Sequence, residues 1–300
     1  MEPINILEAK MIYQRGGNVT QFLRKNLESQ ENTSKIIEIA YDLQAGSYIE
    51  FTKKNSQKVR KYTRELSIIL KDYLDEGSSL LDVGTGEMTI LTFVLNQLKI
   101  PLLNVLALDL SWSRLSKGMN FFENNKVEKS LVSPFVADIK KIPLHSKSID
   151  VTISSHALEP NGQILDILLY ELFRVTKKHI ILFEPSFEIN SKEGKQRMDN
   201  LGYIKDLPNE IEKIGGKILN MKPITNVFNP LNPTVCYVIR PPKTNANFVA
   251  RPEFCVPGTD FPIYLENNFL VSRDTGLVFP VLDDIPVLKM ESSILATSKS

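Results

Sequence analysis

The sequence predicts an α/β protein built on a doubly wound, mostly parallel sheet, with a helical cap before it and a small β-rich unit after it. Three observations carry that expectation. Strand-like apolar runs alternate with helix-period segments between residues 79 and 184, the first strand enters a glycine-rich turn in LLDVGTGEM (residues 80–88), and the strands close on polar residues. Strands that are apolar on both faces call for helices packed on both sides of the sheet.

Composition bounds the function classes. Lys and Arg total 36 against 35 Asp and Glu, which argues against a general nucleic-acid coat. Cys236 and Cys255 are the two cysteines of the chain, too few for a disulfide framework or a four-thiolate zinc site, so reduced surroundings and no metal are expected. No apolar run approaches the ~20 residues of a membrane span. Residues 1–10 lack a basic region followed by an apolar core, so no secretion signal is read and a cytoplasmic protein is expected.

Taken in order, residues 4–50 are helical with breaks at Gly16, Gly17 and Gly46, and residues 52–74 form a longer helix carrying Lys53, Lys54, Lys58, Arg60, Lys61 and Arg64. Strands follow at 79–83, 104–109, 131–137, 149–154 and 179–184, with helices at 88–98, 113–125 and 162–176 between them. A helix over 193–214 ends at Gly215-Gly216. Two β-like stretches, 217–223 and 234–240, then close the sheet as an antiparallel pair, and the Pro-rich segment 241–245 reads as a linker. Residues 252–289 hold short β-like runs without a helical period, and 291–300 reads as a loose tail. The expected division is a cap at 1–60, a sheet domain at 61–243 and a small β-rich domain at 244–300.

In doubly wound sheets ligands bind beyond the carboxyl ends of the strands. Here those ends present Asp82 and Gly84, Asp109, Asp138, Ser154-Ser155-His156, and Glu184. A phosphate loop needs Lys followed by Ser or Thr at the helix start, where this chain has Glu87 and Met88. A dinucleotide turn wants a glycine where Thr89 stands. A cofactor with a nucleoside and a cationic or amino-acid end, but no phosphate, suits the acidic rim better.

LLDVGTGEM, then Asp109 closing LLNVLALDLS, then FVADIKKIPL with Asp138, then IDVTISSHALEP, resemble the successive motifs of the class I S-adenosylmethionine-dependent methyltransferases. The resemblance runs from about residue 62 to 240 and implies a Rossmann-like seven-stranded sheet with an antiparallel last strand. It also implies S-adenosyl-L-methionine as cofactor. Asp82, Gly84 and Gly86 would border its methionine part. Asp109, with Leu110 beside it, would accept hydrogen bonds from both ribose hydroxyls. Asp138 would hold the adenine amino group while Ile139 packs on the ring, and Ser154 and Ser155 would lie near the methionine end. The family usually has glycine where Met88 stands, so a wider turn or a displaced cofactor is expected.

His156 is the candidate general base, since imidazole titrates near neutral pH and this one closes the fourth strand. Tyr13, Tyr41 and Tyr48 in the cap are the candidate substrate contacts, with Glu184, whose alternative is a structural hydrogen bond to a neighbouring helix start. The (Asn/Asp)-Pro-Pro-aromatic motif of base-directed amino methyltransferases is replaced by Ser154-Ser155-His156-Ala157, which leaves a small-molecule or glycan-like hydroxyl acceptor. An RNA methyltransferase using the Lys53–Arg64 face and a non-catalytic scaffold are the alternatives. Finally, residues 251–289 resemble the zinc-ribbon-like domain of the tRNA methyltransferase activator subunit family, through Cys255-Val256-Pro257, Ser272-Arg273, Phe279-Pro280 and Asp284-Ile285-Pro286-Val287. That resemblance implies a unit that pairs with an edge strand of the sheet in cis, or one that mediates a homodimer.

Overall fold

The computed structural model describes residues 6–29, 32–243 and 252–299. Four helices open the chain: α1 (Ile6–Gln14), α2 (Val19–Asn26), α3 (Ser34–Leu43) and α4 (Ser47–Lys54). Ala9, Val19, Leu23, Ile36, Ile39 and Ala40 give the first three a small core of their own. α5 (Ser56–Leu70) follows, so the single helix expected over 52–74 is broken at Asn55. The cause is local. The Asn55 side chain donates to the Phe51 carbonyl at 2.9 Å, offering the backbone an alternative to continuing the turn.

The alternating unit then runs β1 (Ser79–Val83), α6 (Thr89–Leu98), β2 (Asn104–Asp109), α7 (Trp112–Asn124), β3 (Val132–Val136), β4 (Ile149–Ser155), α8 (Leu165–Val175) and β5 (Thr176–Pro185). α9 (Lys192–Leu201) and α10 (Leu207–Lys213) replace the one helix expected over 193–214. Gly202 ends α9 in the left-handed region and Asp206, also left-handed, precedes the Pro at the start of α10. β6 (Lys217–Pro223) and β7 (Thr234–Arg240) complete a seven-stranded sheet of order β3-β2-β1-β4-β5-β7-β6. β7 is antiparallel to both its neighbours.

Strand order reverses between β1 and β4, so the crevice lies at their carboxyl ends. Alternate strand residues feed two cores. Leu81, Val83, Leu106 and Leu108 pack with α8 on one face, while Leu80, Val105 and Ala107 pack with α5, α6 and α7 on the other.

The terminal unit holds β8 (Tyr264–Glu266), β9 (Phe269–Val271), β10 (Leu277–Leu282), β11 (Ile285–Pro286) and β12 (Ile294–Leu295). The tail expected to be loose instead pairs β12 with β10, anchored where Ala296 N–H donates to the Gly276 carbonyl at 2.8 Å. Thr244 and Asn245 of the expected linker lie outside the described residues. The unit covers the β3 edge in cis. Val287 pairs in parallel with Val136, Leu288 N–H donates to the Val136 carbonyl at 2.7 Å, and Phe254 bridges Leu144. Covering that edge satisfies backbone groups that would otherwise face solvent. Cys255 is buried with its thiol donating to the Thr259 carbonyl.

Candidate active site

A cavity with about 910 Å³ of space, part of it open to solvent, lies across the β1 and β4 ends. Gly84, Asp109, Leu110, Asp138, Ile139, Ser155 and His156 line it from the sheet, and Tyr41 and Tyr48 from the cap. The backbone dictates the turn chemistry. Gly84 and Gly86 both have positive φ, and a Cβ on either would collide, with Ala157 and Arg114 respectively. Asp109 is 5% exposed. Its Oδ2 accepts from Gly86 N–H at 2.8 Å and its Oδ1 from Ser111 N–H at 2.9 Å. Each oxygen keeps a lone pair for a ribose hydroxyl. Asp138 caps the turn that follows β3 through Lys140 N–H at 2.9 Å. A cradle only glycine can form, with two carboxylates set beyond it at neighbouring strand ends, fits a nucleoside cofactor.

Met88 does not obstruct that cradle. Its φ of 51° supplies the left-handed cap of α6, the conformation glycine ordinarily provides, and its buried side chain joins the core under α5 and α6. Neither chamber of the site has Met88 in its wall. Asp82, at 6% exposure, lies beneath the turn outside the cavity wall, and burial pushes its carboxyl up to about 7.

A second chamber of about 1030 Å³ adjoins the first. Tyr48, Phe51, Tyr62 and Phe228 make it largely aromatic, with Phe228 4.8 Å from the Tyr62 ring centre and 5.6 Å from that of Phe51. The two chambers share Tyr48, Ser155, His156 and Glu159 as a common wall. Ser155 Oγ is hydrogen-bonded to Tyr62 Oη at 2.9 Å.

His156 sits at φ 60°, a conformation rare for a non-glycine residue. Its Nδ1 is 2.9 Å from Glu159 Oε2 and its Nε2 2.9 Å from Thr234 Oγ1, while Asn232 Nδ2 donates to the same Glu159 oxygen at 3.0 Å. Burial alone would lower the imidazole pKa. The hydrogen bond and charge of Glu159, helped by Glu184, outweigh it and raise the pKa above its ordinary value. The reciprocal effect prevails at Glu159, where burial raises the carboxyl pKa but His156 and Asn232 bring it below the usual range.

Among the other expected contacts, Glu184 is fully buried and accepts from the Ala157, Leu158 and Glu159 amides at 3.1–3.2 Å and from Ser154 Oγ at 2.9 Å. It therefore builds the turn that presents His156 rather than lining either chamber, and Ser154 lies with it in the interior. Tyr13 is on α1, partly exposed and absent from both walls.

Four features escape a reading of the sequence. Glu87 accepts the Gly46, Tyr48 and Ile49 amides at 2.9, 3.4 and 2.8 Å, tying the start of α4 to the glycine turn. Arg114 is stacked between Tyr41 and Tyr48, 5.1 and 4.8 Å from their ring centres, with Asp109 at 3.7 Å. Asn232 and Thr234 reach His156 from 76 and 78 residues away in sequence. Phe228 comes from the loop between β6 and β7. Only the acid at Glu87, preceding a helix without a basic partner, carried a local signal.

The sheet order and the helices on both its faces are those of the Rossmann-like methyltransferase fold. Residues 81–183 match the family model described as a methyltransferase domain, and the chain is an S-adenosylmethionine-dependent methyltransferase with S-adenosylmethionine as its cofactor. No curated protein matches it. Among solved structures it resembles a chain of the Haloferax volcanii complex containing the Trm112 methyltransferase activator, at 12% identity and TM-score 0.52, over 67% of this chain and 98% of that one. It also resembles the [4+2]-cyclase SpnF, at 14% identity and TM-score 0.50, over 60% of this chain and 82% of that one. A methyltransferase from Aquifex aeolicus aligns at 18% identity and TM-score 0.49, over 64% of this chain and 97% of that one. At these identities the likeness is one of fold, and a fold that also carries a cyclase does not by itself define the acceptor. No helix among the described residues is long and apolar enough to cross a membrane.

Proposed function

We propose that the chain methylates a hydroxyl of a small-molecule or glycan-like acceptor, with His156 as general base. The observation that carries this reading is the shared wall. The cofactor side and the aromatic chamber meet at Tyr48, Ser155, His156 and Glu159, so a methyl donor in one faces an acceptor in the other. S-adenosylmethionine, when bound, supplies a methyl group on a sulfonium, already a good leaving group, so alignment of the two partners provides most of the catalysis. Asp109 takes the ribose hydroxyls, and Asp138 with Ile139 the adenine. Gly84 and Gly86 would let the methionine part approach the main chain above Asp82, Ser155 would border it, and Ser154 would support that wall from the interior.

The acceptor stacks among Tyr48, Phe51, Tyr62 and Phe228, while Tyr41 lines the cofactor cavity. Glu159 holds the imidazole tautomer that carries its proton on Nδ1, leaving Nε2 to receive the acceptor proton directly or through the Thr234 hydroxyl, which lines the same chamber. The aromatic walls favour an acceptor with a ring or apolar face. A cytoplasmic setting belongs to the same reading, and both cysteines are free and buried.

The test is transfer of labelled methyl from S-adenosylmethionine to a panel of hydroxylated aromatic compounds, glycosides and structured RNA. Label in the first two classes, lost in Phe228→Ala with S-adenosylhomocysteine affinity unchanged, supports the reading. Label confined to RNA, with the cofactor still bound, would replace it by the RNA alternative. That second reading has one observation in its favour: Lys53, Lys54, Lys58, Arg60, Lys61 and Arg64 are all exposed on α4 and α5 beside the aromatic chamber, and none has an ion-pair partner among the described residues.

A further inference from the structure

We infer that the C-terminal unit is the clasp of the cofactor lid, and that Lys289 is its positioning residue. The inference rests on the cofactor assignment above and concerns a part of the chain that touches no reacting atom. α3 lies across the mouth of the cofactor cavity, to which it contributes Ser34, Ile37, Glu38 and Tyr41. Besides the stacking of Tyr41 on Arg114, two polar ties hold it there. At its C-terminal end Asp42 accepts from Ser111 Oγ at 2.6 Å and from the amide and hydroxyl of Ser113 at 3.2 and 2.9 Å, fastening it to the start of α7. Near its middle Glu38 Oε1 lies 2.8 Å from Lys289 Nζ of the C-terminal unit, with Lys35 of the same helix 3.7 Å from Oε2.

The Lys289 side chain is only 6% exposed, so this is an ion pair largely withdrawn from solvent and from salt. Its position in the chain gives it leverage. Lys289 follows Leu288, whose amide is bonded to the Val136 carbonyl at the end of β3, and Val136 stands two residues before the cofactor ligand Asp138. The unit also accepts the Trp112 indole N–H on the Leu282 carbonyl at 3.2 Å, beside the Asp109–Ser111 turn. One rigid attachment to the sheet therefore fixes both the strand end that takes the adenine and the helix that roofs it. The lid opens to admit or release cofactor by breaking the Glu38–Lys289 pair, while the Asp42 contacts act as its hinge.

Glu38 lines the cavity and its variants would disturb binding directly, whereas Lys289 does not line it, so the informative pair is Lys289→Met and Lys289→Arg. Two readouts on the full chain are needed. Hydrogen exchange of the α3 amides reports the lid whether or not cofactor binds. Stopped-flow dissociation of S-adenosylhomocysteine reports the consequence for the site. In Lys289→Met, α3 exchange and the dissociation rate should each rise about tenfold, the scale of a typical coupling between sites, and Lys289→Arg should restore both. Unchanged α3 exchange in Lys289→Met, or faster exchange confined to the terminal unit with a normal dissociation rate, overturns the clasp. Faster α3 exchange in a protein that never binds S-adenosylhomocysteine would leave the clasp standing and remove the cofactor assignment instead.

Discussion

The two chambers of the site are built from different materials. The cofactor side stands on strand ends, where Asp109 and the glycine turn are fixed by the sheet itself, with Gly86 and Ser111 amides locking the carboxylate at 2.8 and 2.9 Å. The aromatic chamber, proposed to take the acceptor, stands on α4, α5 and the loop between β6 and β7, joined by ring contacts and by the Glu65 carboxylate accepting from the Thr225 and Asn226 amides at 2.9 and 3.1 Å. A site of this kind keeps one half constant and leaves the other half free to change its occupant.

Perturbing the shared wall should give the largest effect. His156→Ala is expected to lower kcat by about 10²–10⁴ with cofactor affinity unchanged, the usual range for a lost general base. Because a base must be neutral and this imidazole has a raised pKa, the wild-type rate should climb with pH through a value above the ordinary ~6.5 of histidine. Stability should move the opposite way. The protonated ring is favoured in the folded state, so its contribution is full below the unfolded pKa and fades as pH rises through the folded one. Denaturant titrations from pH 6 to 9 should show that decline in the wild type and lose it in His156→Ala. A flat rate profile would remove His156 from the chemistry.

Next, Asp109→Ala should weaken S-adenosylmethionine and S-adenosylhomocysteine alike, by about a hundredfold in calorimetry, as expected for a lost charged hydrogen-bonding partner. Equal weakening by Phe228→Ala would break the division between the chambers. Glu87→Gln tests the tie between the start of α4 and the glycine turn. Three amides at the start of α4 lose a charged acceptor, so a stability loss of about 2 kcal/mol is expected in urea unfolding, together with a less ordered aromatic chamber. Met88→Gly should have the smallest effect on the site itself. Relief of left-handed strain, about 1 kcal/mol, is offset by the lost burial of a core side chain, leaving a net loss of about 1–3 kcal/mol and a normal cofactor affinity.

How much of this was legible in sequence follows the same division. Strand ends recur in a fixed order, so Asp109, Asp138 and the Gly84–Gly86 turn could be named from the succession of apolar runs and polar closings. The mostly parallel sheet followed from the same alternation, and its seven strands from the resemblance to the methyltransferase family. The acceptor wall could not. Phe228, Asn232 and Thr234 are brought to Tyr48 and His156 only by the insertion of β7 between β5 and β6, and long-range packing leaves no periodic trace. Glu184 is the converse case: an acid at a strand end can serve either a substrate or a structural hydrogen bond, and full burial gives it three backbone amides as partners. The helix breaks at Asn55 and Gly202 were signalled by residues of known turn chemistry, and the apolar period running through them concealed the signal.

The ion pair between Glu38 and Lys289 joins positions about 250 residues apart, among the most distant contacts the chain can make. During synthesis, α3 emerges before the sheet domain and its partner after it. The Glu38–Lys289 pair can therefore form only after the intervening sheet strands have been made, whereas the Asp42 contacts to Ser111 and Ser113 need none of the C-terminal unit.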